Sequence, residues 1–559
     1  MKQKYLITSA LLYANGVIHF GHLAGAFLPA DVFARFKRMM GDDVLYISGS
    51  DEYGVAITMS AELAKRSPRD HVNLYHELNK NIFKTLNISF DHYSRTTLPL
   101  HVEPVQRFFL DLLQNGYIEE KVTNQLYSEE DKKFLADRYV TGECPRCHKD
   151  GARGDECPHC GASFEATDVI NPRSKQTGSK LTLKPTKHWF MRFDMFKEEL
   201  LEWLAKKNWK PNVVNFVESY IKDLKPRAIT RDGDWGVKIP LENTEGKVLY
   251  VWFDAPIGYI SATIDWAQSI GQEERWKDYW LDEKTKLVHF IGKDNIPFHA
   301  IFFPAMCMGQ NTPYKLVDEI PANEFLNLEG KQFSKSAGWT IDMQEFLEHF
   351  TADQIRYALA ANAPESQDAE FTWNDFQMRC NSELVGKFGN FVNRSLVFAK
   401  KHCDLKVPPC SPLEEIDQRF LENMQLKIKE IEAAYDQFSL RRATGIFMEV
   451  CSLANTYFDA KKPWSDAKDV ATIPRMQTTI YCCLEALKTL ALICGPIIPE
   501  ASSKLFKMLG ISHRLDWKEL TSLKLKEGHP LHEPEILFQK VEDEVIAHEL
   551  EKLHSMAKT

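Results

Sequence analysis

The sequence predicts an α/β protein: a parallel-sheet domain, interrupted by a cysteine-knuckle insertion and followed by an all-α helical bundle. Three observations carry that prediction. In the N-terminal part apolar runs alternate with amphipathic segments, as in strand, crossover helix and parallel strand. Four cysteines, Cys144, Cys147, Cys157 and Cys160, stand in a stretch of different composition. From Gln377 onward apolar residues recur at helical spacing almost to the end.

Bulk composition narrows the function classes. With 559 residues, 44% of them hydrophobic, the chain can bury more than one sizeable core, so several domains are expected. A net charge of -9 excludes wholesale electrostatic coating of nucleic acid, and RNA contact then rests on local basic or aromatic patches. No apolar run approaches the length of a membrane span, so no membrane partner is expected. MKQKYLITSALLY has lysines before an apolar run, as a signal peptide does. Removing it would delete the strand leading into HFGH, so it is read as structure. Twelve cysteines, eight of them scattered, fit a reducing cytoplasm.

The first element is an apolar run, Tyr5 to Leu12, read as a buried strand. It leads through YANGVIHFGHL, Tyr13 to Leu23, into an amphipathic helix from Leu23 to Met40. His19 and His22 sit at this strand-to-helix corner, where open backbone N–H groups and the helix dipole favour anions such as nucleotide phosphates. Gly21 lets a flat ligand lie close to the backbone. The same pattern fits an ordinary helix start. A second strand, Val44 to Ser48, ends at Asp51 and Glu52, completing the crossover of a Rossmann-type sheet, whose ligands bind beyond the carboxyl ends of its strands. Asp51 there reads as a partner for an ammonium group or as a loop cap. Glu62 to Lys80 and Val102 to Gly116 are amphipathic helices covering the sheet.

From Tyr117 the alternation stops. Two Cys-x-x-Cys knuckles joined by a short loop suit four thiolates around one structural zinc ion, with a redox pair or chance clustering as the other readings. His148 and His159 are read as exposed. The insertion runs to about Arg231, too small for a separate hydrolytic editing domain. Lys247 to Ala262 reads as an apolar strand breaking into a loop. Leu287 to Ile291 is a further strand, followed by Gly292, Lys293 and Asp294 and a helix from near Pro297. GKQFSKSAG, Gly330 to Gly338, reads as a mobile loop carrying Lys331 and Lys335, which alone are solvated lysines.

A histidine pair after the first strand and a lysine-serine loop after the last resemble class I aminoacyl-tRNA synthetases. Their motifs, His-Ile-Gly-His and Lys-Met-Ser-Lys-Ser, stand here as HFGH and QFSKS. Gln332 replaces the first lysine, with Lys331 as its candidate substitute. LLYANG, GSDEYG, the CPRC and CPHC knuckles, WFDAPIGY and IGKDNIPFH closely resemble the methionyl-tRNA synthetases over nearly the whole chain. The resemblance implies a ligase that activates L-methionine with ATP, releases pyrophosphate and charges tRNA(Met) for elongation and initiation of translation. Catalysis falls to His19, His22, Lys335 and Lys331. ATP is held by His19, Gly21, His22, Gly292, Asp294 and Lys335, with Mg2+ accompanying the nucleotide. Methionine is held by Leu11, Tyr13, Asp51, Trp252, Ala255, Pro256, Tyr259 and His299, an apolar and aromatic set suited to a thioether. Asn390, Arg394 and Trp464 match residues that read the anticodon. Without the resemblance, Trp252, Tyr259 and Trp464 also read as core aromatics.

The implied division is a Rossmann catalytic domain in two halves (1–116 and 236–325), a zinc-knuckle insertion (117–235), the lysine-serine loop region (326–376) and the helical anticodon-binding domain (377–559). A monomer is expected. A synthetase for another amino acid, a zinc-ribbon RNA-binding protein and a nucleotidyltransferase without tRNA are the rival readings.

Overall fold

The computed structural model describes residues 2–136, 139–154, 157, 159–160, 162, 164–334, 338–512 and 515–556. β1 (Lys4–Ser9) is buried over its last four residues, and β2 (Leu12–Tyr13) resumes the pairing after a break at Ala10 and Leu11. The single strand expected over Tyr5 to Leu12 is therefore interrupted. Phe20–His22 forms one α-helical turn, Leu23–Phe27 a π-helical stretch, and α1 (Leu28–Met39) continues it. The regular helix expected from Leu23 thus starts with a widened turn. Its carbonyls accept outside donors: Asn323 Nδ2 to Gly25 at 2.8 Å, Ser9 Oγ to Ala26 at 3.2 Å and Tyr46 OH to Phe27 at 3.2 Å.

β3 (Asp43–Asp51) pairs in parallel with β1, Leu6 opposite Leu45, and with β2, Tyr13 opposite Asp51. α2 (Val55–Leu63) and α3 (Pro68–Thr85) follow. Pro68 opens α3, and the Ser67 side chain caps it by accepting from Asp70 N–H. β4 (His92–Arg95) pairs in parallel with β3, and α4 (Pro99–Gln114) leads out of the sheet.

The insertion is built on a long antiparallel ribbon, β5 (Ile118–Ser128) and β6 (Leu181–Met191), in register from Ile118 opposite Met191 to Ser128 opposite Leu181. Between them a three-stranded antiparallel sheet, Val140–Glu143, Asp150–Arg153 and Ile170–Ser174, carries the cysteine region.

After a short strand, Lys247–Leu249, the chain forms α5 (Val251–Ser269), not the strand and loop expected over Lys247 to Ala262. Nearly every position of α5 is buried, so no polar face reveals the helical period, and a continuous apolar run reads equally as a buried strand. β7 (Lys286–Gly292) and β8 (Ala322–Asn323) complete the parallel sheet on the far side of β1. β9 (Leu326–Leu328), β10 (Lys331–Gln332) and β11 (Ala369–Phe371) form a small separate sheet at the base of the lysine-serine loop.

The remainder is helical. α6 (Ala352–Ala361) leads to α7 (Asn390–Cys403), α8 (Glu415–Asp436), α9 (Leu440–Lys461), α10 (Ile473–Cys494), α11 (Pro499–Met508) and α12 (Asp543–Met556). One apolar core joins α1 and its face of the sheet to this bundle, and a second fills the opposite face under α4 and α5. At the first junction Arg356, wholly buried on α6, donates to Asp31 of α1 at 2.6 Å and to the Ile497 and Pro496 carbonyls at 2.8 and 3.0 Å. Burial opposes ionisation of Asp31, but the guanidinium groups of Arg35 and Arg356 outweigh it and hold the carboxyl well below the usual range. No helix among the described residues is long and apolar enough to cross a membrane.

Candidate active site

A cleft of about 440 Å³ opens beyond the carboxyl ends of β1, β3 and β7, where ligands of such sheets bind. Leu11, Tyr13, Asp51, Trp252, Ala255, Pro256, Tyr259 and His299 all line it, and so do His19, Gly21, His22, Gly292 and Asp294. Two elements supply most of one wall. Trp252, Ala255, Pro256 and Tyr259 share one face of α5, and Leu11 approaches the same helix so closely that a Cβ on Gly258 would meet its Cδ1 at 2.7 Å.

At the histidine corner each of the two imidazoles accepts a hydrogen bond from a nearby backbone N–H. Gly21 N–H donates to His19 Nδ1 at 3.1 Å, and His19 N–H donates to His22 Nδ1 at 3.2 Å. Since Nδ1 is the acceptor in each ring, the proton of each neutral imidazole belongs on Nε2, which becomes a donor. The ring centroids lie 3.8 Å apart. A Cβ on Gly21 would come within 3.0 Å of the His19 ring, so a larger residue there would have to displace that ring. At β7, glycine has a similar use: a Cβ on Gly292 would lie 2.7 Å from the Asp294 carboxylate.

The deeper part of the cleft is aromatic and uncharged. Trp252 stacks on Phe298 at 3.8 Å and meets Tyr13 edge-on at 6.0 Å. His299 Nδ1 donates to the Asn295 carbonyl at 3.0 Å, so its Nε2 accepts from the Tyr259 hydroxyl at 2.7 Å. Burial pushes the His299 imidazole down to about 4 and the Tyr259 phenol up, so both are neutral near pH 7. Asp51 is the cleft's buried carboxylate. Burial first, and then the neighbouring Asp254 carboxylate, raise its pKa well above the usual range. Asp254 is itself wholly buried, with Oδ2 3.4 Å from His101 Nε2.

The lysine-serine loop reaches this cleft through Gln332 and Phe333, which line it. Phe333 lies flat on the His19 ring, centroids 4.8 Å apart and planes within 2°. Lys331 is not brought into the cleft. It is exposed on β10, with its ammonium 4.4 Å from the Trp339 ring centroid. Lys335 lies outside the described residues. Phe298, Phe333 and Asp254 were not singled out from the sequence. Phe298 and Asp254 carried a usable signal, because they adjoin His299 and Ala255 in stretches already assigned to the site; Phe333 lies within the QFSKS motif, but its seat on His19 is set by tertiary packing.

Away from the cleft, the four cysteine sulfurs converge within 4.8 Å of one another. Cys144 and Cys160 sulfurs are 3.8 Å apart and Cys147 and Cys157 sulfurs 3.6 Å, too far for disulfides. A tetrahedron with metal–sulfur bonds of about 2.3 Å has sulfur–sulfur edges of about 3.8 Å, so the quartet fits a single four-coordinate ion. Arg146 and Cys147 N–H groups point to Cys144 Sγ at 3.3 and 3.4 Å, and His159 N–H to Cys157 Sγ at 3.4 Å, so each knuckle's backbone also offsets thiolate charge.

On the helical bundle, Asn390 and Arg394 share a face of α7 and meet α9. Asn390 Nδ2 donates to Asn455 at 3.4 Å and Arg394 to Asp459 at 2.5 Å. The Arg394 guanidinium lies 4.4 Å from the Phe458 ring centroid and 6.0 Å from that of Trp464, whose indole is 41% exposed. The three side chains form one surface patch.

Comparison with known proteins assigns the family. The model of class I tRNA synthetases (M) matches residues 5–396, and that of the anticodon binding domain of methionyl tRNA ligase matches residues 407–557. The chain is 61% identical over 562 residues to a methionine–tRNA ligase of Protochlamydia amoebophila, covering all of this chain and 80% of that one. It is 52% identical to that of Chlamydia caviae, covering 91% of this chain and 92% of the relative. Among solved structures, Mycobacterium tuberculosis methionyl-tRNA synthetase in complex with methionyl-adenylate superposes with a TM-score of 0.81 at 27% identity, covering 96% of this chain and all of the other. The chain belongs to the methionyl-tRNA ligase family of class I aminoacyl-tRNA synthetases.

Proposed function

We propose that this chain activates L-methionine with ATP in the cleft beyond β1, β3 and β7 and then transfers the methionyl group to the terminal ribose of tRNA(Met). The observation that carries the assignment of roles is the juxtaposition, in one cleft, of two Nε2–H donors at a helix start with an uncharged aromatic pocket and a buried carboxylate. His19 and His22 donate to oxygens of the triphosphate and to the equatorial oxygens of the pentacoordinate phosphorus that forms when the methionine carboxylate attacks the α-phosphate. Asp51 holds the methionine ammonium group. Trp252, Tyr13, Ala255, Pro256 and Leu11 enclose the side chain, and the Tyr259 hydroxyl, committed to His299, leaves no charged group to favour a polar competitor over the thioether. Asp294 and Gly292 hold ribose. Lys335 supplies a cation to the departing pyrophosphate, with Lys331, exposed on β10 beside Gln332, as the candidate second lysine.

Magnesium accompanies ATP as a counterion to its phosphates. Zinc fills the four-cysteine site with no open coordination position, so its part is to fold the insertion. Asn390, Arg394 and Trp464 read the anticodon by hydrogen bonding and stacking on its unpaired bases. None of the twelve cysteines is paired in a disulfide, in keeping with a cytoplasmic enzyme.

Pyrophosphate exchange tested with each amino acid in turn checks the assignment. Methionine is expected to drive exchange, with leucine, isoleucine, valine and cysteine far behind, and purified tRNA(Met) to accept the product. Exchange driven best by another amino acid contradicts it.

A further inference from the structure

The segment after β10 carries an aromatic ring to the histidine corner, and its geometry there is more specific than a loop resting on a surface. Phe333 and His19 are parallel within 2° at 4.8 Å, while Phe333 meets Phe20 edge-on at 6.5 Å. Among the described residues the Gly21 N–H meets the His19 ring at Nδ1, the His22 ring lies 3.8 Å from it, and Phe333 covers a face. Gly21 is the spacer that makes room, since a Cβ there would lie 3.0 Å from His19 and 3.7 Å from Phe333. Position 333 is where the related motif has methionine, beside the position where Gln332 replaces lysine. A flexible thioether touches a ring loosely, whereas a planar phenyl group can hold it in plane.

We propose that Phe333 is a positioning residue for adenylate formation, fixing the plane of the His19 imidazole so that Nε2–H keeps its alignment toward the triphosphate. The inference rests on the reading of His19 as a phosphate donor. Hydrogen bonds weaken steeply as their angle departs from linear, so an imidazole free to turn about its Cβ–Cγ bond donates well for only part of the time. Catalytic donors act most strongly when they need no reorientation as charge develops. The ring therefore acts through His19.

Phe333→Leu keeps apolar bulk and removes the plane, and Phe333→Tyr keeps the plane. Both are compared in methionine-dependent pyrophosphate exchange with ATP varied, alongside methionine binding measured by equilibrium dialysis without ATP. Phe333→Leu is expected to lower kcat/KM for ATP about fivefold, the range of one aromatic stack, with methionine affinity unchanged and Phe333→Tyr within about twofold of the parent. In a His19→Asn background Phe333→Leu should add little, because the group it positions is gone. An unchanged or faster exchange in Phe333→Leu overturns the proposal. So does a parallel fall in methionine affinity, or an undiminished effect in the His19→Asn background. Should His19→Asn alone leave exchange intact, the phosphate-donor reading itself fails and the clamp with it; activity that depends on His19 but ignores Phe333→Leu removes the clamp alone.

Discussion

At Asp51 the chemistry of one buried side chain sets a pH dependence. Burial and the Asp254 carboxylate raise its pKa, and a methionine ammonium group beside it would lower it again, so methionine binding is linked to proton release. The sign follows. Methionine affinity is expected to rise with pH until the empty-cleft carboxyl is fully ionised and to level off above, with proton release on binding within that range. Calorimetric titrations in buffers of different ionisation enthalpy measure the released proton. Asp51→Asn should abolish both the release and the pH dependence and weaken methionine by about 3 kcal/mol, the order for removing one partner of a buried charge pair. Affinity independent of pH in the parent protein would show that Asp51 does not meet the ammonium group.

At the scale of the element, the cysteine end of the insertion has little apolar core: among the described residues its buried cluster is Cys144, Ala152 and Cys157 with Cys147 and Phe164 beside it, while Val140 and Val169 at the other end pack with Leu126, Leu135 and Leu181. Metal ligation then stands in for a core. One zinc per chain is expected by elemental analysis, and Cys144→Ser should free it and expose the segment between β5 and β6 to protease while the parallel sheet keeps its main thermal transition. A metal-free protein equally resistant to protease would separate the knuckle from zinc. The elements also show where sequence pattern was informative. The Cys-x-x-Cys pairs announce their geometry because two residues between ligands suit one turn; β1, β3 and β7 read as continuous apolar runs because helices cover both faces of the sheet, and the helical bundle follows the period that one solvated face imposes. α5 gave no such period, being buried nearly all round. The π stretch at Leu23–Phe27 was equally hidden, since the donors that satisfy its carbonyls, Asn323 among them, come from elements distant in sequence. Site residues in the corner and on α5 were legible through motif resemblance, whereas Phe333 over His19 depends on where the loop packs.

Over the whole molecule, activation and anticodon reading are assigned to separate bodies joined by one continuous core. Trp464→Ala is expected to reduce tRNA charging about tenfold or more, the range for loss of a base stack, and to leave pyrophosphate exchange without tRNA unchanged. Loss of exchange in that variant would mean that its indole supports the fold and not the RNA. The junction itself is polar at one point. Arg356→Leu leaves Arg35 as the guanidinium partner of Asp31 and removes a buried donor from the Ile497 and Pro496 carbonyls, and should cost about 3 kcal/mol in chemical denaturation. An undiminished stability there would show that the guanidinium and its partners merely balance their desolvation. Everything assigned to the cleft depends on the two imidazoles meeting ATP beside bound methionine. The most direct measurement is His22→Ala in methionine-dependent pyrophosphate exchange, with methionine affinity measured in parallel. Exchange is expected to fall by about a hundredfold or more, as for a lost transition-state donor, while methionine still binds as in the parent; parental exchange in His22→Ala would contradict the account.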